Sequence, residues 1–332
     1  MKLIRSVSRM TENRALYGAM FLLAVSGILN AQARQPEQTY KAITTAHPDW
    51  VQVPGKLMRA DCVHEIPNGA KVVIGADGQP TGDVMLNGSL FAHYDACSEA
   101  PVSTRHTVAT TPKTLEHAPV VPSFNGWVED SQEDLSLSSS DNIDWESGEF
   151  YVPNNPSVNG GTIFLFNGIA PVGEEWILQP VLQYGPSAAG GGNYWAIASW
   201  FVGTGGAWHS PLETVKAGDT LYGYTEQTAK GSTLDYFSEA YDLTSGAYSW
   251  ISIYSSGLHW TWAYEGVLEV YNVNSCSQLP TSDYAYFFNN EVYHGYPAYD
   301  HVAPAFVGDV FQSGCNDWTY VNNSYDYAYL LY

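Results

Sequence analysis

Basic residues are scarce in this chain of 332 residues: 13 Lys and Arg stand against 34 Asp and Glu, for a net charge of −21. A surface that negative repels phosphate backbones, which argues against a nucleic-acid partner. Charged residues make up only 14% of the chain, too few for a disordered polyelectrolyte or a coiled coil. Beyond the N-terminus no apolar run reaches 18 residues, so no transmembrane helix is expected in the mature protein. Several catalytic signatures are also missing. There is no G-x-S-x-G elbow, no H-E-x-x-H, no P-loop, and no G-x-G-x-x-G between a strand and a helix. The nine His are scattered without metal-ligand spacing, and no metal or other cofactor is implied.

What is abundant is aromatic: 24 Tyr, 12 Phe and 11 Trp, with 30 Gly. The N-terminus reads as a signal peptide over residues 1–33. Lys2, Arg5, Arg9 and Arg14 precede the apolar stretch Leu16 to Leu29, and Ala31-Gln32-Ala33 supplies an A-x-A cleavage site. Cleavage there removes four basic residues and Glu12, leaving −24, and the expected location is extracellular. An exported chain can form disulfides. Of the three connectivities open to four cysteines, Cys62–Cys97 and Cys276–Cys315 are favoured, because each pair falls inside one compositional segment.

Residues 34–120 form a Pro- and His-containing segment with short strands, Ala70 to Val73 and Asp83 to Tyr94, broken by Asn68-Gly69, Asp77-Gly78 and Asn87-Gly88. It ends in a Thr/Pro-rich linker over 100–120 and reads as an accessory unit or a pro-segment. From about Phe124 short Val-, Ile- and aromatic-rich runs recur between Gly, Asn, Ser and Asp clusters, with no helix of ten residues or more. The expectation for 121–332 is all-β: an antiparallel β-sandwich or jelly roll of the concanavalin-like kind.

Strand phase identifies the candidate site. In Trp176 to Tyr184, alternation puts Trp176, Leu178, Leu182 and Tyr184 toward the core and Ile177, Gln179, Val181 and Gln183 on the other face, with Pro180 a candidate bulge. In Tyr264 to Val273, Leu268 and Val270 face one way, and Glu265, Val267, Glu269 and Tyr271 the other. A regular strand separates Glu265 from Glu269 by roughly 13 Å, so they cannot form the carboxylate pair of one glycosidase site, which needs about 5–9.5 Å.

Six segments, in order, resemble the eqolisin family of glutamic peptidases. Gly148-Glu-Phe-Tyr-Val-Pro153 is similar to G-x-F-x-V-P, and Phe166-Asn-Gly-Ile169 to W-V-G-I. Ile177-Leu-Gln179 and Val181-Leu-Gln-Tyr-Gly185 both resemble I-L-Q-T-G, which carries the family's catalytic Gln. Ala196 to Val202 resembles A-W-Y-E-W-Y-P, Ala217-Gly-Asp-Thr220 the following G-D turn, and Tyr264 to Glu269 the segment A-E-W-I-V-E, whose last Glu is catalytic. The resemblance spans about 124–275. It implies a secreted, acid-active endopeptidase, a monomer acting on polypeptides through a water held by Glu269 and a glutamine. Spacing to the next strand and the following Gly favour Gln183; spacing from Phe166 and the hairpin register favour Gln179. Phe166, Trp176, Ser199, Trp200 and Tyr271 are the cleft candidates. Phe166 stands at the family's Trp and Ser199 at its Glu. An acidic surface suits work at low pH, where protonation lowers self-repulsion. The competing expectation is a non-catalytic, lectin-like sandwich whose aromatics stack on sugars.

Overall fold

A computed structural model of the chain describes residues 36–105, 124–229, 234–255 and 257–332. The signal peptide expected over 1–33 and most of the Thr/Pro-rich linker lie outside these residues. One helix, α1 (Pro36–Ala46), opens the described part and was not foreseen. The strands that follow are β1 (Trp50–Val53), β2 (Lys56–Arg59), β3 (Val63–Glu65), β4 (Ala70–Ile74), β5 (Pro80–Leu86), β6 (Ser89–His93) and β7 (Val102–Ser103). The next are β8 (Phe124–Asp134), β9 (Ile143–Tyr151), β10 (Thr162–Pro171), β11 (Ile177–Ser187), β12 (Gly190–Gly203), β13 (Gly206–His209), β14 (Glu213–Thr214), β15 (Thr220–Ala229), β16 (Leu234–Asp242), β17 (Tyr248–Ser255) and β18 (Trp260–Val273). Last come β19 (Tyr284–His294), β20 (Asp300–His301), β21 (Val307–Val310), β22 (Trp318–Asn322) and β23 (Tyr327–Leu331).

Among the described residues these strands form three sheets. One runs β21-β8-β18-β10-β11-β12-β13-β3, with β14 beside β12; a second runs β22-β23-β19-β9-β15-β16-β17-β4-β5-β6, with β20 beside β19. Pairing is antiparallel except where β3 meets β13 and β4 meets β17, so strands from residues 36–105 extend both large sheets. The architecture is the antiparallel β-sandwich expected from the alternating pattern. The two large sheets face each other across a core that joins Ile163, Leu165, Leu182, Ile197, Leu268 and Val270 of the first to Phe150, Leu221, Phe287 and Leu330 of the second. Removing that apolar area from water is the main stabilising contribution, at about 25 cal/mol per Å².

The first sheet is apolar on both faces, which is why every residue of β10 is buried. Its outer face carries Phe164, Phe166, Val181, Trp200, Val267 and Tyr271, and these pack against Val53, Leu57 and Met58. Those three belong to the third sheet, β1-β2-β7, which covers the outer face. Two disulfides, Cys62–Cys97 and Cys276–Cys315, have the pairing expected from the sequence. No helix among the described residues is long and apolar enough to cross a membrane.

One phase assignment is corrected. β18 has a register shift against β8 between Tyr264 and Gly266. Such a bulge puts two consecutive residues on the same side of the sheet. Gly266 turns inward, where a Cβ would come within 2.5 Å of the Phe287 ring. Glu265 turns inward beside it and accepts hydrogen bonds from Ser131 and from Asn290 of the opposing sheet. Glu265 and Glu269 therefore lie on opposite faces.

Candidate functional site

Register places the candidate residues before any side chain is considered. Phe164 of β10 pairs with Glu269 of β18 on one side and Gln183 of β11 on the other, so Glu269 and Gln183 share a row. Gln179 pairs with Trp200 of β12. All of these point to the outer face, under the third sheet. Gly168 makes room for Gln179: a Cβ at 168 would lie 3.0 Å from the Gln179 Cα and Cβ.

Glu269 is fully buried. Its Oε1 accepts from the Tyr271 hydroxyl at 2.5 Å and from Thr104 Oγ1 at 2.7 Å, and its Oε2 accepts from the Gly55 amide at 2.6 Å. Burial pushes its pKa up to about 7; the Tyr271, Thr104 and Gly55 hydrogen bonds and the nearby Lys56 charge pull the other way without cancelling it. Burial likewise lowers the pKa of Lys56.

The two glutamines part here. Gln179 is also fully buried, and its Nε2 lies 3.5 Å from the Pro54 carbonyl; its Oε1 has no protein hydrogen-bond partner among the described residues. Pro54 and Gly55 are consecutive, so Gln179 and Glu269 bracket a single peptide unit. Gln183 is committed elsewhere. Its amide donates to the carbonyls of Gly185 and Gly190 and accepts from Ser187, closing the β11–β12 turn.

The remaining candidates divide by face. Phe166 packs edge-on against Trp127 at 5.8 Å, Trp200 packs on His209 at 4.6 Å, and Tyr271 touches Glu269; all three are on the outer side. Trp176 and Ser199 are not with them. Trp176 stacks on Phe201 at 4.7 Å in the inter-sheet core. The Ser199 hydroxyl donates to the Ser249 carbonyl of the opposing sheet. Position 199 therefore faces away from Glu269, and a serine there removes nothing from the outer face.

Thr104, Pro54, Gly55 and Lys56 were not anticipated. Pro54-Gly55 between two short apolar runs is a turn signal, but nothing local says where that turn docks. Among the described residues no group of three or more His, Cys, Asp or Glu is placed to hold a metal ion.

No family model and no curated protein matches the chain. Among solved structures it is similar to scytalido-glutamic peptidase with a peptide-based transition-state analogue, at 17% identity and a TM-score of 0.42, over 62% of this chain and 98% of that one. A second structure of scytalido-glutamic peptidase, with a transition-state analogue inhibitor, aligns at 16% identity and a TM-score of 0.41, over 63% and 98% of the two chains. SCP-B, a member of the eqolisin family of peptidases in complex with the tripeptide Ala-Ile-His, aligns at 16% identity and a TM-score of 0.41, over 62% and 98%.

Proposed function

We propose that this chain is a secreted, acid-active endopeptidase of the glutamic type, with Glu269 as general base and Gln179 as oxyanion donor. The observation that carries the reading is the bracketing of one peptide unit: an amide donor lies at the carbonyl of Pro54 and a carboxylate at the nitrogen of Gly55. Peptide hydrolysis by an activated water asks for a donor at the carbonyl oxygen and a carboxylate near the leaving nitrogen, able to hold the water and pass on its proton. Glu269 takes a proton from water, whose oxygen adds to the carbonyl carbon. The Gln179 amide donates to the oxyanion, and its own Oε1, without a protein partner, is available to orient the water. As the C–N bond breaks, Glu269 returns the proton to the leaving amine. The order of the six eqolisin-like segments supports the same reading. Gln183 is assigned a structural role, because its amide is already satisfied by the turn.

Burial raises the pKa of Glu269; once water reaches the cleft that cause is lifted, and the carboxyl ionises nearer its ordinary value of 4.5. A sugar-stacking role is less well supported: the hairpin covers Phe166, Trp200 and Tyr271 as it covers Glu269 and Gln179, but what lies between those two polar groups is a peptide unit. The test is digestion of an unfolded polypeptide between pH 3 and 6, with pepstatin present. Wild type should cleave and Glu269→Gln should not. Cleavage unaffected by Glu269→Gln removes the proposal.

A further inference from the structure

The turn that fills the cleft has a geometry of its own. Val53 pairs with Lys56, so Pro54 and Gly55 are the two-residue connection of hairpin β1–β2. Proline first and a glycine at φ 87° second is the type II arrangement. The hydrogen bond of such a turn closes across its outer residues, which leaves the central carbonyl and N–H free for outside partners. In this chain those partners are Gln179 and Glu269. Further contacts hold the tip down. The Thr104 amide donates to the Gly55 carbonyl at 3.1 Å, and the Tyr271 hydroxyl lies 3.4 Å from the Val53 carbonyl. Val53, Leu57 and Met58 are fully or almost fully buried against the outer face. The base of the hairpin is tied to the sandwich by β3, paired with β13, and by Cys62–Cys97.

We propose that hairpin β1–β2 is an inhibitor built into the chain: Pro54–Gly55 occupies the place of a substrate's peptide bond, and the cleft admits a polypeptide only when the tip withdraws. This rests on the assignment of Glu269 and Gln179 made above. Two features make the tip a blocker rather than a first substrate. Glu269 receives the Gly55 N–H in the amide plane, whereas a leaving nitrogen is protonated perpendicular to that plane. The same carboxylate oxygen, 2.6 Å from that nitrogen, is the one a water would need. Both Glu269 and Gln179 are fully buried with the tip seated, so no outside chain reaches them.

Gly55→Ala tests this without touching the assigned machinery. A Cβ there meets nothing closer than Ile177 Cγ2 at 3.8 Å, so the substitution adds only left-handed backbone strain, which shifts the seated-to-withdrawn ratio by about ten-fold. Val53→Ala, which removes apolar contact between the hairpin and the outer face, is the second variant should the first fold poorly. Two readouts are compared with wild type: kcat/KM for an unfolded polypeptide at pH 4, and binding of a labelled cyclic peptide carrying residues 50–59. Both variants should cleave about ten-fold faster and bind the cyclic peptide about ten-fold more tightly. Equal rates and equal binding overturn the built-in inhibitor and leave the peptidase assignment standing. Tighter binding by the variants, with no Glu269-dependent cleavage by any form, supports the inhibitor contact and overturns the peptidase assignment.

Discussion

Glu265 gives the sharpest stability prediction. It lies between the sheets, bonded to Ser131 and Asn290, and burial pushes its pKa up to about 7; the Ser131 and Asn290 hydrogen bonds oppose the rise and Asp326 adds to it. The folded chain therefore holds this proton more tightly than the unfolded one, whose glutamate titrates near 4.5. Stability from this group is complete below about pH 4.5 and is lost as the pH rises to 7, the reverse of a salt-bridged carboxylate. At about 1.36 kcal/mol per pKa unit the loss is roughly 3 kcal/mol. Glu265→Gln replaces the protonated form nearly isosterically: its Oε1 still accepts from Asn290, and its Nε2 donates to a Ser131 hydroxyl that has turned to accept. The variant should match wild type within about 1 kcal/mol at pH 4.5 and exceed it by roughly 2–3 kcal/mol at pH 7.5. Urea midpoints at pH 4.5, 6 and 7.5 measure this, with slopes confirming a common unfolding transition. Glu146, fully buried and also raised by desolvation, leaves some pH dependence in both proteins. Parallel stability curves would refute the reasoning and mean that Glu265 ionises inside the sandwich without cost.

Gln179→Ala should lower kcat by about 10²–10³ with little change in melting temperature, as expected for a lost oxyanion donor. Gln183→Ala should do the opposite: the Gly185 and Gly190 carbonyls lose their buried donor, costing about 2 kcal/mol in urea unfolding, while activity stays within a few-fold. Thiol labelling of the denatured, unreduced protein should find no reactive cysteine. Replacing either disulfide, which close segments of 35 and 39 residues, should cost about 4 kcal/mol by the chain-entropy model.

The sandwich was legible because alternation with period two survives in most strands, and in β11 it gave the right face for every residue. Pro180, a candidate bulge, does not disturb β11. Its pairing with β12 runs unbroken from Ile177 to Tyr184. On the other side, the β10 ladder already has a gap between the Phe166–Val181 and Ile169–Leu178 pairs, so the missing N–H goes unneeded. β18 was misread at Glu265 because a bulge of one residue leaves no trace in composition beyond Gly266. Ser199 was drawn into the cleft by the resemblance, and Trp176 was counted with it although alternation already placed that residue toward the core. The proposed preference for Gln179 over Gln183 could not come from local sequence, since it rests on a turn 125 residues from Gln179 and 214 from Glu269.

The most direct measurement is made where the hairpin limits access least. Gly55→Ala and Gly55→Ala/Glu269→Gln are incubated with an unfolded polypeptide at pH 4 in the presence of pepstatin, and the products are followed by mass spectrometry. Gln can keep its Oε1 on residue 55 and donate Nε2 to the Tyr271 and Thr104 hydroxyls, so the fold should survive the second substitution. The account predicts internal cleavage by the first protein and a rate at least about 10²-fold lower in the second. Equal cleavage by both, or none by either, would contradict it.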